Sequence, residues 1–308
     1  MDNNAIRSLQ TVTQVIPFLE YILDEDNDDV LMKYAYKIIE AEKALSITDS
    51  TWSMSDMRHI SYADERRRRH LRMQIIKELL NIERLKSDEN IKLGSGGARP
   101  KSEILSEKKF FYIIGLPASG KSTIASDLAD KYGAFILDSD YAKRKFPEYS
   151  LSIRGASLVH EESDRVVFDY NGCDLLHTCI KNSYNIVVPK IGHDLQSILT
   201  FCQALRDKQY SVYLILVNMN RKMATQRAFN RFIKTGRYVP LSLIFDGYGD
   251  NPELNYYKLT KKYTMGGKYH DLFAGFASIS TNSQDGGKPV LESEIHLSDL
   301  SSLWRRIK

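Results

Sequence analysis

Apolar residues recur at helical spacing near the start of the chain. Leu9, Val12, Ile16, Leu19 and Ile22 share one face, and Leu31, Tyr34, Ile38 and Ala41 share another, which predicts two amphipathic helices. The acidic cluster between them, residues 24–29, offers Asp28 or Asp29 as a cap for the second helix. It lacks the glycine and terminal glutamate spacing of a calcium loop. Residues 64–85 predict a long helix with Leu71, Ile75, Leu79 and Ile82 on its buried side. Its opening run Arg66-Arg67-Arg68-Arg69 reads as a solvated face. The segment Gly94-Ser95-Gly96-Gly97-Ala98-Arg99-Pro100 cannot hold a helix and is expected to be a linker, with the main core starting just past it.

Beyond residue 109 the texture changes. Phe110-Phe111-Tyr112-Ile113-Ile114 is a short apolar run rich in aromatic and β-branched residues, as a buried parallel strand requires. Residues 134–137, 185–188 and 212–217 repeat that texture, and residues 123–132, 160–181 and 194–207 between them have helix length and pattern. Strands alternating with helices predict an α/β fold with a parallel sheet flanked by helices, and an all-α module ahead of it. The expected division is a helical module over residues 1–60 and an α/β domain over residues 61–308. Past Tyr248 the pattern says less. Tyr256, Tyr257, Tyr263 and Tyr269 are expected to be packing aromatics, and residues 282–287 a loop before a short final strand.

The 308 residues, 43% of them hydrophobic, are enough to fill such a core. The 43 basic residues nearly balance the 39 acidic ones, for a net charge of +4, so overall charge gives no argument for binding DNA or a membrane. Cys173, Cys179 and Cys202 show neither a disulfide framework nor zinc spacing. With no apolar run long enough to cross a bilayer and no greasy leader, a cytoplasmic protein is expected.

The sharpest signal is Gly115-Leu116-Pro117-Ala118-Ser119-Gly120-Lys121-Ser122-Thr123, set between a predicted strand and a predicted helix. The glycines let successive backbone N–H groups converge on phosphates, and the helix start adds its positive dipole end. Lys121 is placed to reach the β- and γ-phosphates of ATP, and the Ser122 hydroxyl to ligate Mg2+. The next strand delivers Asp138 and Asp140 to the carboxyl end of the sheet, where open α/β folds bind ligands. Asp140 is the chosen general base, because Lys143, Arg144 and Pro147 follow it in a charged turn suited to a phosphorylated substrate. Arg227 and Arg231 lie one helical turn apart after the strongest strand. Their planar, permanently charged forks suit a transferring phosphoryl group. Gly236 then ends that helix, and Arg237 returns toward the site.

Taken together, these motifs resemble the zeta toxin family of P-loop kinases from bacterial toxin–antitoxin systems. In that family a P-loop precedes a strand ending in an aspartate base, with a basic residue at the third following position and a proline at the seventh. Asp140, Lys143 and Pro147 match this pattern, and Arg227 and Arg231 match the family's lid arginines. The resemblance spans roughly residues 64–244. It implies a kinase toxin that phosphorylates a hydroxyl of a sugar nucleotide such as UDP-N-acetylglucosamine, restrained by a helical antitoxin that is either separate or carried in this chain by residues 1–60. Characterised members carry a Glu-Gly-Thr-type segment where this chain reads Val188-Pro189-Lys190-Ile191-Gly192-His193. That variant resembles a branch with a preceding His-Glu-Glu-Ser, here His160-Glu161-Glu162-Ser163. It implies substrate binding by Lys190 and by His160 with Glu161 or Glu162. The readings set against this one are an NTP-hydrolysing switch and a P-loop kinase with another small-molecule acceptor.

Overall fold

The computed structural model describes residues 6–46, 49–264, 271–282 and 288–306; Tyr269 and most of the 282–287 loop fall outside them. The chain opens with α1 (Val12–Leu23) and α2 (Asp28–Leu45). Thr11 and Gln14 form a capping box on α1. The cap of α2 is Asn27 rather than either expected aspartate: its side-chain oxygen accepts from the Asp29 and Val30 amides. Asp28 and Asp29 occupy the first turn, where their charge suits the helix dipole. Val15, Phe18, Leu19, Leu31, Ala35 and Ile38 are buried between this hairpin and a later helix.

Next comes α3 (Glu65–Asn81). Its arginine run is split by helical periodicity: Arg66, Arg67 and Arg69 face outward, whereas Arg68 is fully buried. The segment 94–100 is part of the core and not a linker. A Cβ on Gly97 would meet the Ile82 carbonyl at 1.9 Å, so glycine is there for close approach of two backbones. Buried Lys145 ties the turn down by donating to Glu78 at 2.7 Å and to the Lys92 and Ser95 carbonyls.

The sheet is built from β1 (Lys109–Ile114), followed by α4 (Lys121–Lys131), β2 (Phe135–Ile136), α5 (Ser139–Lys143), α6 (Gly155–Leu158), α7 (His160–Phe168), α8 (Leu175–Lys181) and β3 (Ile186–Pro189). After α9 (Leu195–Asp207) come β4 (Ser211–Asn218), α10 (Arg221–Thr235) and α11 (Asn251–Thr264). Then β5 (Gly275–Ser280), β6 (Val290–Ile295) and β7 (Arg305–Arg306) complete it. The strand order is β2-β3-β1-β4-β5-β6-β7. The first five strands run parallel, β6 pairs antiparallel to β5, and β7 runs parallel to β6. Central β1 and β4 are buried almost throughout, which explains their unbroken apolar runs.

The single helix expected over residues 160–181 is two. The chain breaks at Asn171 and Gly172, both with positive φ, and Asp174 caps α8 by accepting from the His177 amide. The Asn-Gly pair was the turn signal in the sequence. A parallel sheet with this order, helices on its faces and a glycine-rich loop leaving central β1 is the P-loop kinase arrangement.

Candidate active site

The loop between β1 and α4 turns through Ala118 and Gly120, both at positive φ. Gly115 lies so close to β4 that a Cβ there would meet the Val217 carbonyl at 2.6 Å. Lys121 Nζ donates to the Gly115 and Leu116 carbonyls, each at 2.7 Å, so the ammonium lies folded against its own loop. Burial pushes its pKa down to about 8. Thr281, just past β5, braces the loop by donating its hydroxyl to the Ser119 carbonyl at 2.7 Å. Ser122 and Thr123 are exposed at the start of α4.

A cavity of about 890 Å³ opens over this loop. Pro117, Ala118, Gly120, Lys121 and Ser122 form one side, and the β2 end supplies Asp138 and Asp140. Arg227 and Arg231 reach it from α10, together with Arg237. Lys143, Arg144, His160 and Lys190 also line it. Fourteen expected residues, drawn from separate stretches of the chain, thus share one space. Gly115, Ser119 and Thr123 support the loop without lining the cavity.

Asp138 caps α5 by accepting from the Asp140 amide at 2.9 Å. Burial, reinforced by the Asp140 charge, raises its pKa above the ordinary aspartate value. For Asp140 burial acts in the same direction, but Lys143 and Arg237 outweigh it and hold that carboxyl well below its usual range. Lys143 Nζ is 2.9 Å from Oδ1, and Arg237 donates to Oδ2. Burial, with repulsion from Arg237, lowers the Arg231 pKa to about 10. Arg231 Nε is buried and has no hydrogen-bond partner among the described residues. Such an atom is costly to leave unmet and suits an incoming phosphate oxygen.

Two expected substrate ligands lie elsewhere. Glu162 is fully buried and does not line the cavity, accepting from Arg68 at 2.7 Å, from Arg72 at 2.6 Å and from Thr51. Glu161 bonds Ser50 and Arg165. The physical reason is helical phase: on α7, His160 and Asp164 share the cavity side, and Glu161 and Glu162 turn away from it. Asp164, which the sequence reading passed over, lines the cavity and accepts from Ser139 at 2.7 Å and Lys190 at 3.3 Å. Its spacing one turn after His160 was the available signal. His193 and Tyr248 also line the cavity, with ring centroids 5.1 Å apart. Tyr248 ends the π-helical turn Leu243–Tyr248, which no sequence signal announced.

Residues 99–250 match the zeta toxin family model. Over this stretch the chain is similar to the zeta toxin family. The matched stretch starts later than the resemblance read from the sequence, at Arg99, and it contains the loop, Asp138, Asp140 and all three arginines. Outside the matched stretch lie α1, α2, α3, α11 and the strands from β5 onward. Among solved structures, one similar to this chain comes from the PezAT chromosomal toxin–antitoxin system of Streptococcus pneumoniae. It is 13% identical, with 66% of this chain and 81% of that one covered and a TM-score of 0.47. Another is the AvrRxo1-ORF1:-ORF2 complex with ATP, at 14% identity, 75% and 67% coverage, and a TM-score of 0.43. A comparison with curated proteins found no match.

The N-terminal hairpin packs against α10 and the loop after β1. Phe229 and Phe232 of α10 and Leu116 of the loop share its apolar cluster. Lys222 donates to Asp24 at 2.6 Å, Gln226 to the Ile22 carbonyl at 2.6 Å, and Tyr238 to Glu42. From the hairpin, Leu45 alone among the described residues lines the cavity. No helix of the described residues is long and apolar enough to cross a membrane.

Proposed function

We propose that the protein is an ATP-dependent kinase that transfers the γ-phosphate to an alcohol hydroxyl of a small anionic acceptor and acts as a toxin. The observation carrying this reading is that Lys121 of the loop, Asp140 of the β2 end and Arg231 of α10 open onto one cavity. ATP phosphates would lie against the loop amides, drawing the Lys121 ammonium away from the carbonyls it meets now. The Ser122 hydroxyl and, through water, Asp138 are oxygen donors of the kind Mg2+ takes. When bound there, the ion would neutralise charge between the β- and γ-phosphates.

Asp140 orients the acceptor hydroxyl and takes its proton as the new P–O bond forms, which requires Lys143 or Arg237 to give up a place on the carboxylate. Its depressed pKa keeps it ionised over the working range, so the proton moves late, when the attacking oxygen has become acidic. Arg227, Arg231 and Arg237 balance charge on the transferring group. On the acceptor side, Lys143, Arg144 and Lys190 favour an anionic substrate. The His193–Tyr248 ring pair offers a surface for a sugar or base. A sugar nucleotide such as UDP-N-acetylglucosamine fits this chemistry.

ADP formation that depends on an added acceptor, and that disappears in Lys121→Ala and Asp140→Asn, is the expected result. Phosphate release that is indifferent to any acceptor would instead identify an NTP-hydrolysing switch. A helical antitoxin, in this chain or separate, belongs to the same reading, and residues 1–60 are its candidate in cis.

A further inference from the structure

Four cationic side chains, Lys143, Arg144, Arg231 and Arg237, line the cavity within reach of one another's fields. Two carboxylates sit among them. One is Asp140. The other is Glu89, in the turn Asp88–Asn90 between α3 and β1, ahead of the stretch that matches the zeta toxin family. Its Oε2 accepts from Arg144 Nη1 at 2.8 Å, and its Oε1 lies 3.6 Å from Arg237 Nη1. Glu89 supplies the side-chain hydrogen bond that directs the buried Arg144 guanidinium. Its Nε is buried with no hydrogen-bond partner among the described residues, and its other neighbour is the Tyr149 ring, 5.4 Å away.

We infer that Glu89 is a positioning residue for phosphoryl transfer, a fixed counter-charge that holds Arg144 and Arg237 aimed into the cavity. The inference rests on the kinase reading. Like charges gathered in a partly enclosed space repel one another, and a long guanidinium side chain with a single hydrogen-bonded anchor swings away once that anchor loses its charge. A carboxylate between two of these arginines opposes the repulsion without taking up the cavity wall, because Glu89 is not among the residues that line it. In the burial of the three partners the same division shows: the Arg144 and Arg237 side chains are 4% and 19% exposed, and Glu89 is 42% exposed. Solvent screens the outer member, so Glu89 acts through alignment more than through binding strength.

Glu89→Gln keeps the volume and one acceptor oxygen but removes the charge, and Glu89→Asp keeps the charge on a shorter arm. Wild-type and variant full-length chains would be assayed with ATP and Mg2+. UDP-N-acetylglucosamine and, separately, a deproteinised metabolite extract would serve as acceptors, with ATP affinity and thermal unfolding measured alongside. For Glu89→Gln, kcat should fall about tenfold, the scale of one lost charge-assisted hydrogen bond, while ATP affinity stays within about twofold and the melt is unchanged. Glu89→Asp should recover part of the loss. An active wild type with Glu89→Gln within about twofold of its kcat would overturn the inference alone. So would a loss confined to ATP affinity, or a kcat loss that tracks a lowered melt. A wild type that transfers phosphate to neither acceptor source would overturn the kinase reading and this inference with it.

Discussion

Replacing Glu162 by glutamine separates a structural carboxylate from a substrate ligand. Glu162 is fully buried and receives bonds from Arg68 Nε at 2.7 Å, Arg72 Nε at 2.6 Å, a second Arg68 nitrogen, and Thr51. It thereby ties α7 to α3 and to the segment before it. Removing one member of a buried ion pair costs about 3–5 kcal/mol, because the remaining charge is left uncompensated. Arg68 keeps Glu148 at 2.8 Å, and Arg72 keeps Glu65 at 2.5 Å. The loss in Glu162→Gln should therefore fall near the lower end, about 3 kcal/mol.

The pH dependence sharpens the test. Burial alone would raise the Glu162 pKa, but Arg68, Thr51 and Arg72 outweigh it and hold it below 4.5. A depressed folded pKa means stabilisation that is complete above the unfolded value and lost as pH falls through the folded one. Urea unfolding followed by circular dichroism at pH 7 and down to pH 3 should show the wild type losing this contribution in acid and the glutamine variant lacking it throughout. A variant within about 1 kcal/mol of wild type at pH 7 that instead needs far more acceptor for half-maximal rate would refute the reasoning and return Glu162 to the substrate site.

Asp140→Asn should lower kcat by about 10²- to 10⁴-fold with nucleotide affinity retained, as read by steady-state assay and ATP titration. Because Lys121 has its pKa pushed down to about 8 in the nucleotide-free protein, ATP affinity should weaken as pH rises past that value. It should be roughly fivefold lower at pH 9 than at pH 8, since binding favours the charged amine, whose share falls from about a half to about a tenth over that interval. Calorimetric titration at the two pH values checks this. Gly115→Ala should abolish nucleotide binding, because the added Cβ meets the Val217 carbonyl at 2.6 Å and the loop must shift; binding of a fluorescent ATP analogue reads it out. Removing residues 1–46 uncovers the apolar side of α10, so the melting temperature should fall, and lowered activity with it would mark the hairpin as a packing extension. A folded product with raised activity would instead mark the hairpin as an inhibitor in cis.

Most of the candidate site's lining was legible because its chemistry is local. The loop motif, Asp140 with Lys143, and Arg227 with Arg231 are each defined by spacing within one segment, and the strand-loop-helix frame brings the segments together. What the sequence hid is set by long-range packing. Arg68 looked like part of a solvated run until Glu148 and Glu162, 80 and 94 positions away, buried it. Gly96 and Gly97 looked like linker residues because a glycine needed for close approach and a glycine needed for flexibility are the same letter. Glu161 and Glu162 were drawn toward the substrate by their neighbour His160, whereas the phase of α7 faces them away. Glu89 carries no motif at all, and only the folded chain sets its turn against two arginines.

The central claim is tested most directly by identifying a phosphorylated product. Full-length protein would be incubated with ATP carrying an isotopically heavy γ-phosphate and a deproteinised cell extract, and the extract analysed by mass for species that acquire the label. A labelled small anionic molecule, phosphorylated on a hydroxyl and absent when Lys121→Ala protein is used, is the expected result. Label recovered only as inorganic phosphate, or the same labelled product from the Lys121→Ala protein, would contradict it.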